Sequence, residues 1–514
     1  MFFMKLRLLI IGLTLCTLAS ALQGGIIVSK SVGRDDVASA IAAASTGDTV
    51  VIPKGSAVWT SGVTVNRSLR IKGSGSGRIV GRSTSSLNLA TGTQFLTTQA
   101  GLKLTPGQTI RVSRTGNRGR FMEGTVTSYS GTTLEMNVAT TGGTGSDKLW
   151  LISTQSDTVI VNGYSGTPFS NFALFTVSEQ PGQIDLSGIK LAAGTGNAPG
   201  IKINRSQGGE PVLIHDMWIE TRNTSGNDAI WTNSNKGVVW NVSFDCSSFS
   251  QAPLAFHHTC LGETDSWTTP STIGDEDTTG KSNFYIEDCD FHAWLNATDL
   301  DSNSRAVIRH CIFNNSGMGT HGADTGPYGV RHFELYDNVF IYNGYTDLTT
   351  LPLAWWVYVR GGTGVITDNV MPDINSQDYG NKSEINLTVM NLQRNANPNP
   401  CWGANVPGIQ YPAPRQVGMG FVTGTGGTDS VTYRGDSEPL YIWNNSGSYS
   451  VGLSDYGSSD CSAPDRTSDY VIRGRDYFVD VPKPGYTKYQ YPHPLRNSGD
   501  PASVPVGVEV IADP

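Results

Sequence analysis

Apolar residues recur along this chain in a short fixed phrase, not in helical or simply alternating runs. Ile286 to Phe291, Ile308 to Phe313, Leu335 to Phe340 and Ile366 to Met371 each hold an aliphatic residue, one outward residue, a polar corner, and a second apolar residue five positions after the first. Leu186 and Leu191, Ile214 and Ile219, and Val239 and Phe244 keep the same offset upstream. A return every ~20–30 residues is the signature of a stacked coil array. One coil cannot bury its apolar face alone, so successive coils must pile into a continuous core. The phrase predicts that Ile286, Ile308, Leu335 and Ile366 form one inward row. Cys289, Cys311, Asn338 and Asn369 fall at equivalent corner positions. Asn tolerates the left-handed backbone a sharp corner needs, so these residues are expected at the turn itself, stacked into ladders.

These repeats and corners resemble the right-handed parallel β-helix of the pectate-lyase-like superfamily, over roughly residues 25–375. The expected fold is all-β: a right-handed parallel β-helix solenoid with a small inserted β module and an irregular C-terminal layer. Residues 22–96 read as an N-terminal cap and first coils. Gly47-Asp48-Thr49-Val50 and Gly62-Val63-Thr64-Val65 look like the opening coils of secreted β-helix proteins. The Ala-rich stretch from Asp35 to Ala44 predicts a short helix covering the open end, which otherwise exposes a sheet edge. Residues 97–155 switch to period-two alternation, an antiparallel hairpin signal, and read as an inserted β module. Residues 156–375 carry the main coils. Residues 376–514 lose the repeat and are expected to form a loop-rich layer and tail.

The first residues read as an export signal: Lys5 and Arg7, the apolar run Leu8 to Leu18, then the small-residue site Ala19-Ser20-Ala21. That apolar run is well short of the ~20 residues a membrane span requires. The signal over residues 1–21 therefore predicts a secreted or periplasmic, bacterial protein with no membrane span. A net charge of −8 argues against nucleic-acid binding. The 60 glycines among 514 residues suit a fold with many tight corners. Cys246, Cys260, Cys289, Cys311, Cys401 and Cys461 remain after the signal, an even set that an oxidising compartment would allow to pair. Cys289 and Cys311 sit on adjacent coils, either as a bridge or as stacked thiols.

Candidate chemistry concentrates in residues 296–360. Lys236, Lys281, Arg305, Arg331 and Arg360 precede successive strands, and equivalent positions on stacked coils lie about 4.8 Å apart. They predict a column of cations that suits an acidic polysaccharide; the alternative is that each cation pairs with a carboxylate and staples coils. Asp299, Asp301 and Asp324 form a carboxylate set, and Ca²⁺ needs several such oxygens. With His321 as base, Tyr328 as proton donor and Arg305 and Arg331 neutralising the substrate, the set fits β-elimination of a uronate. Arg309, Trp355, Trp356, Tyr358 and Arg360 are candidate substrate contacts. A carboxylate pair acting as glycoside hydrolase is the alternative chemistry, and a non-catalytic glycan-binding β-helix is the alternative class. Neither a complete pectate-lyase calcium signature nor the full motif set of polygalacturonase-like hydrolases is present. The expected protein is a monomeric polysaccharide lyase.

Overall fold

A computed structural model describes residues 24–498 except 115–116, 149, 165–172, 179–181, 205–208, 223–227, 251–253, 261–276, 295, 323–328, 343–354, 375–382, 390–411, 414, 421–435 and 455–465. The chain winds into a parallel β-helix with three long sheets. Among the described residues the first sheet has twelve strands, from Ile26–Val28 to Tyr477–Val479. The second has eight, from Gly55–Trp59 to Val339–Ile341, and the third has ten, from Val63–Val65 to Val451–Leu453. The central coils give one strand to each sheet. In one such coil these are Phe284–Glu287, Asp290–Trp294 and Thr298–Leu300, before Arg305–Arg309 opens the next.

The repeat places its apolar residues as expected. Ile286, Ile308, Leu335 and Ile366 are paired in register on consecutive first-sheet strands, and all four are fully buried. Val50, Ile71, Leu186, Ile214 and Val239 continue that row on one side and Ile442 on the other. The second apolar position forms a ring stack: Phe244, Phe291, Phe313 and Phe340 follow one another at centroid distances of 4.9, 4.8 and 4.7 Å. Offset ring stacks add attraction beyond the area they bury.

The corner differs from expectation by one residue. The left-handed backbone falls on Asp288, His310, Asp337 and Asp368, with φ of 51°, 55°, 56° and 57°. Asp and His are among the non-glycine types enriched there. Cys289, Cys311, Asn338 and Asn369 follow them, point inward and form the ladder. The Cys311 amide donates to Asn338 Oδ1 at 2.9 Å, Asn338 Nδ2 donates to Asn369 Oδ1 at 2.9 Å, and Asn369 Nδ2 donates to Asn445 Oδ1 at 2.9 Å. Cys289 and Cys311 are stacked buried thiols without a bridge, and Cys246 and Cys260 are also thiols. Cys401, Cys461 and residues 1–21 lie outside the described residues.

The helix Arg34–Ala43 covers the N-terminal end of the core with buried Val37, Ala40 and Ile41. The inserted module is a six-stranded antiparallel sheet that begins earlier than its hairpin signal, at Ile79, and closes with Trp150–Thr154. It has its own core, including Ile110, Met122 and Met136. It docks on the second sheet through ion pairs, Arg118 to Asp245 at 3.2 Å and Arg82 to Asp290 at 3.1 Å. The coil stack also runs past residue 375: Ile385–Leu387 and Val451–Leu453 extend the third sheet, and Leu440–Trp443 and Tyr477–Val479 extend the first. Residues 483–496 then return along the outer face of the first sheet. There Lys488 pairs with Asp337 and Asp368 at 2.8 Å, Tyr491 donates to Asp288 at 2.7 Å, and Arg496 pairs with Glu287 at 2.8 Å. Among the described residues no helix is long and apolar enough to cross a membrane.

Candidate functional site

The third sheet carries the polar row that matters. Its strands each place one outward side chain between two inward ones: Ile201-Lys202-Ile203, Ile230-Trp231-Thr232, Phe256-His257-His258, Thr298-Asp299-Leu300 and Val357-Tyr358-Val359. A strand sends alternate side chains to opposite faces. The register therefore stacks Lys202, Trp231, His257, Asp299, Gly319, Tyr358 and Asn386 in one outward row, one per coil.

Asp299 is the centre of this row. Its Oδ2 accepts from His321 Nε2 at 2.7 Å and its Oδ1 accepts from Arg360 Nη2 at 3.0 Å. Burial opposes ionisation of Asp299, but the neighbouring His321 and Arg360 outweigh it and hold the carboxyl well below the usual carboxylate range. Arg360 lies two coils from Asp299 and reaches it across Gly319. A Cβ at 319 would come within 3.1 Å of Asn296 Oδ1 and 3.5 Å of Asp299 Oδ1, so glycine keeps this passage open. Arg360 is fixed at its other end by Thr320, whose Oγ1 accepts from the Arg360 amide at 3.0 Å and whose carbonyl accepts from Nε. Asp301 leaves the same strand two residues later and accepts from the Ser302 amide at 2.6 Å.

On the preceding coil His257 donates from Nδ1 to Asp228 Oδ2 at 3.2 Å, and the Leu254 amide holds the other oxygen of Asp228 at 2.9 Å. Burial lowers the affinity of His257 for a proton, yet Asp228, then Asp299 and Asp301, raise it above the ordinary imidazole value. The adjacent His258 points inward, donates from Nε2 to Asn235 Oδ1 and the Arg305 carbonyl, and is lowered by burial to about 3. Trp231 meets the His257 ring edge-on at 6.2 Å and lies under Lys202 Nζ at 4.0 Å. At the other end Trp355 stacks on Tyr358 at 4.4 Å and donates from Nε1 to Asn296 at 3.3 Å.

The structure thus gathers Asp299, Asp301, His321, Arg360, Trp355 and Tyr358 on one sheet, and adds Lys202, Trp231, Asp228 and His257. Of the added residues only Lys202 is flagged by apolar neighbours on both sides; Trp231 and His257 are found through the strand register and Asp228 through its contact with His257. Other candidates fall elsewhere. Trp356 is a core residue, fully buried, that donates to the Pro372 carbonyl at 2.7 Å. Arg309 lies on the first sheet, buried beneath the tail: it donates to Glu287 Oε1 at 2.9 Å, Tyr336 Oη at 2.9 Å and the Tyr489 and Gln490 carbonyls at 2.7 Å. Arg305 also belongs to the first sheet, in register with His332. Arg331 is fully buried and pairs with Glu438 at 3.0 Å. The expected single column of cations is therefore divided between sheets, and three of its members are ion-paired: Arg331 with Glu438, Arg360 with Asp299, and Lys281 with Glu210 at 2.8 Å. Those partners are distant in sequence, which is why the carboxylates were not visible beside each cation. Asp324 and Tyr328 lie outside the described residues.

Ca²⁺ does not fit the arrangement around Asp299. Both of its oxygens already face cationic donors, Arg360 and the His321 ring, where a calcium site needs an excess of oxygen ligands. Among the described residues no group of three His, Cys, Asp or Glu could hold a metal ion. Asp277, in the acidic stretch near residue 276, is a loop anchor: it accepts from the amides of Lys281, Ser282 and Asn283 at 3.0–3.1 Å.

No protein-family model matches the chain, and no curated protein matches it. Solved structures do resemble it. The tailspike gp61 of Pseudomonas phage phi297 is 15% identical, with a TM-score of 0.24, over 70% of this chain and 65% of its own. The chain thus spans just under two thirds of that tailspike's length. The Family 28 exopolygalacturonase of Yersinia enterocolitica is 10% identical, with a TM-score of 0.30, over 91% of this chain and 77% of its own. The gp54 tailspike of Acinetobacter baumannii bacteriophage AP22, solved in complex with A. baumannii capsular saccharide, is 10% identical, with a TM-score of 0.18, over 86% of this chain and 68% of its own.

Proposed function

We propose that the outer face of the third sheet binds a polysaccharide and cleaves it by β-elimination at a uronate residue. The observation that carries this reading is the hydrogen bond from His321 Nε2 to Asp299 Oδ2 at 2.7 Å, in the middle of the outward row. A carboxylate on Nε2 fixes the tautomer with its proton there, which makes Nδ1 the basic nitrogen. A base oriented in this way is suited to remove a proton from carbon. Arg360 beside it supplies the positive charge that a substrate carboxylate and the developing enolate require. Trp231 on one side is half-buried and offers a ring to sugars along the row, whereas Trp355 and Tyr358 on the other are buried and stacked on each other.

Hydrolysis is the second reading, favoured by the three carboxylates Asp228, Asp299 and Asp301 around one face. A panel of acidic and neutral polysaccharides, read at ~235 nm for unsaturated product and by reducing ends, separates the two. Signal in both channels supports elimination. Reducing ends alone overturn it in favour of hydrolysis, and silence in both with measurable binding leaves a glycan-binding protein.

A further inference from the structure

Two imidazoles, not one, flank Asp299. His321 holds its carboxylate from the following coil, and His257 is its register partner on the preceding coil. Each has a carboxylate of its own: Asp299 at 2.7 Å for His321 and Asp228 at 3.2 Å for His257. The carboxylates engage opposite nitrogens. Asp299 takes Nε2 of His321, so its Nδ1 is the proton acceptor. Asp228 takes Nδ1 of His257, and the carboxylates of Asp228, Asp299 and Asp301 around the ring hold it protonated, so its Nε2 also carries a proton, one that can be given away. Asp228 is itself buried and pinned by the Leu254 amide, so the second ring is aimed as firmly as the first. Successive coils are about 4.8 Å apart, so a sugar lying over the Asp299 strand has one ring on each side.

Resting on the elimination reading above, we propose that His257 is the catalytic acid that protonates the leaving oxygen, opposite His321 as base. The step balances without a co-reactant. His321 Nδ1 takes the proton from C5, the C5–H electron pair becomes the C4=C5 double bond, the C4–O4 bond breaks, and O4 takes the proton from His257 Nε2. One proton enters the protein and one leaves it, and water is not consumed. The charges facing His257 are Asp228, Asp299 and Asp301, with the neutral His258 behind it, and together they keep it charged and ready to donate.

The test uses two substrates for the full-length protein: the polysaccharide, and a small uronide carrying a phenoxide leaving group at C4, which departs without needing a proton. His257→Ala is expected to lose about 10²–10⁴ in rate on the polysaccharide yet stay near wild type on the phenoxide, because general-acid help is needed only for the poor leaving group. His321→Ala is expected to lose rate on both. His257→Gln, which retains a hydrogen bond to Asp228, repeats the measurement if the alanine variant fails to fold. Activity of a folded His257 variant near wild type on the polysaccharide overturns the assignment, as does an equal loss on both substrates. A wild-type protein that yields no 235 nm product overturns the elimination reading itself, a different result from any obtained with the variants.

Discussion

Replacing Arg309 by alanine separates a substrate contact from a structural staple. The guanidinium is fully buried and makes hydrogen bonds to Glu287, Tyr336 and two carbonyls of the returning tail, at 2.7–2.9 Å. Hydrogen bonds involving a charged group contribute about 1.5–3 kcal/mol each, but they overlap here and cannot be added. Breaking a buried ion pair by removing one partner costs about 3–5 kcal/mol, because it strands the other charge. Arg496 limits that loss, since it remains 2.8 Å from the second oxygen of Glu287. The expected cost is therefore at the lower end, about 3 kcal/mol. Urea titrations of wild type and Arg309→Ala measure it, with polysaccharide binding followed at a denaturant-free concentration. Glu287→Gln combined with Arg309→Ala should recover part of the loss, because the stranded charge is gone. A loss under about 1 kcal/mol, the range of an exposed pair, together with weakened glycan binding, would refute the staple and return Arg309 to substrate recognition.

Three further outcomes are expected. Asn338→Leu leaves the Ile308 and Tyr336 carbonyls and the Cys311 amide without their partner, at about 1–3 kcal/mol for each buried group left unsatisfied, read by thermal and urea unfolding. His215 lies between Asp185 at 3.0 Å and Asp216 at 2.8 Å; burial opposes its charge, but these partners raise it to about 9 from 6.5. Its stabilisation is complete below about pH 6.5 and is lost as pH rises through about 9, a fall of about 3 kcal/mol that should vanish in His215→Gln; an unchanged slope in that variant assigns the pH dependence elsewhere. Asp299→Asn removes the anion that orients His321, so kcat should fall by about 10²–10⁴ while equilibrium glycan binding stays near wild type; retained turnover would exclude Asp299 as the orienting group.

The coil phrase made the scaffold legible because burial repeats locally: each inward residue needs only its own coil to be recognised. The same locality explains what stayed hidden. Arg309 and Glu287 are on adjacent coils, but the tail carbonyls that complete their cage come from residues 489 and 490. Glu438 reaches Arg331 from a coil more than a hundred positions later. Counting cations before strands therefore suggested one column where there are two environments. The left-handed corner was misplaced by a single position because Asp and Asn both tolerate that backbone, and only the ladder hydrogen bonds distinguish the residue that turns from the one that points inward. Half of the site was readable from charge, namely Asp299, Asp301, His321 and Arg360. The other half, His257 with Asp228, required the register, because only stacking brings residue 257 beside residue 299.

The returning segment 483–496 alters the mechanics of the molecule. A solenoid transmits force and unfolding from one coil to the next, so it ordinarily frays from its ends. Here a single strap touches Tyr441, Asp368, Asp337, Glu334, Arg309 and Glu287 in turn. Coils that never meet directly are thus tied through a common partner, and peeling one away at the C-terminal end requires lifting the strap from several at once. Since the strap follows every coil it binds in chain order, during synthesis it emerges last, and Tyr285, Val307 and Tyr336 stay uncovered until it arrives. Seating the strap is then the event that converts a row of neighbours into one cooperative body.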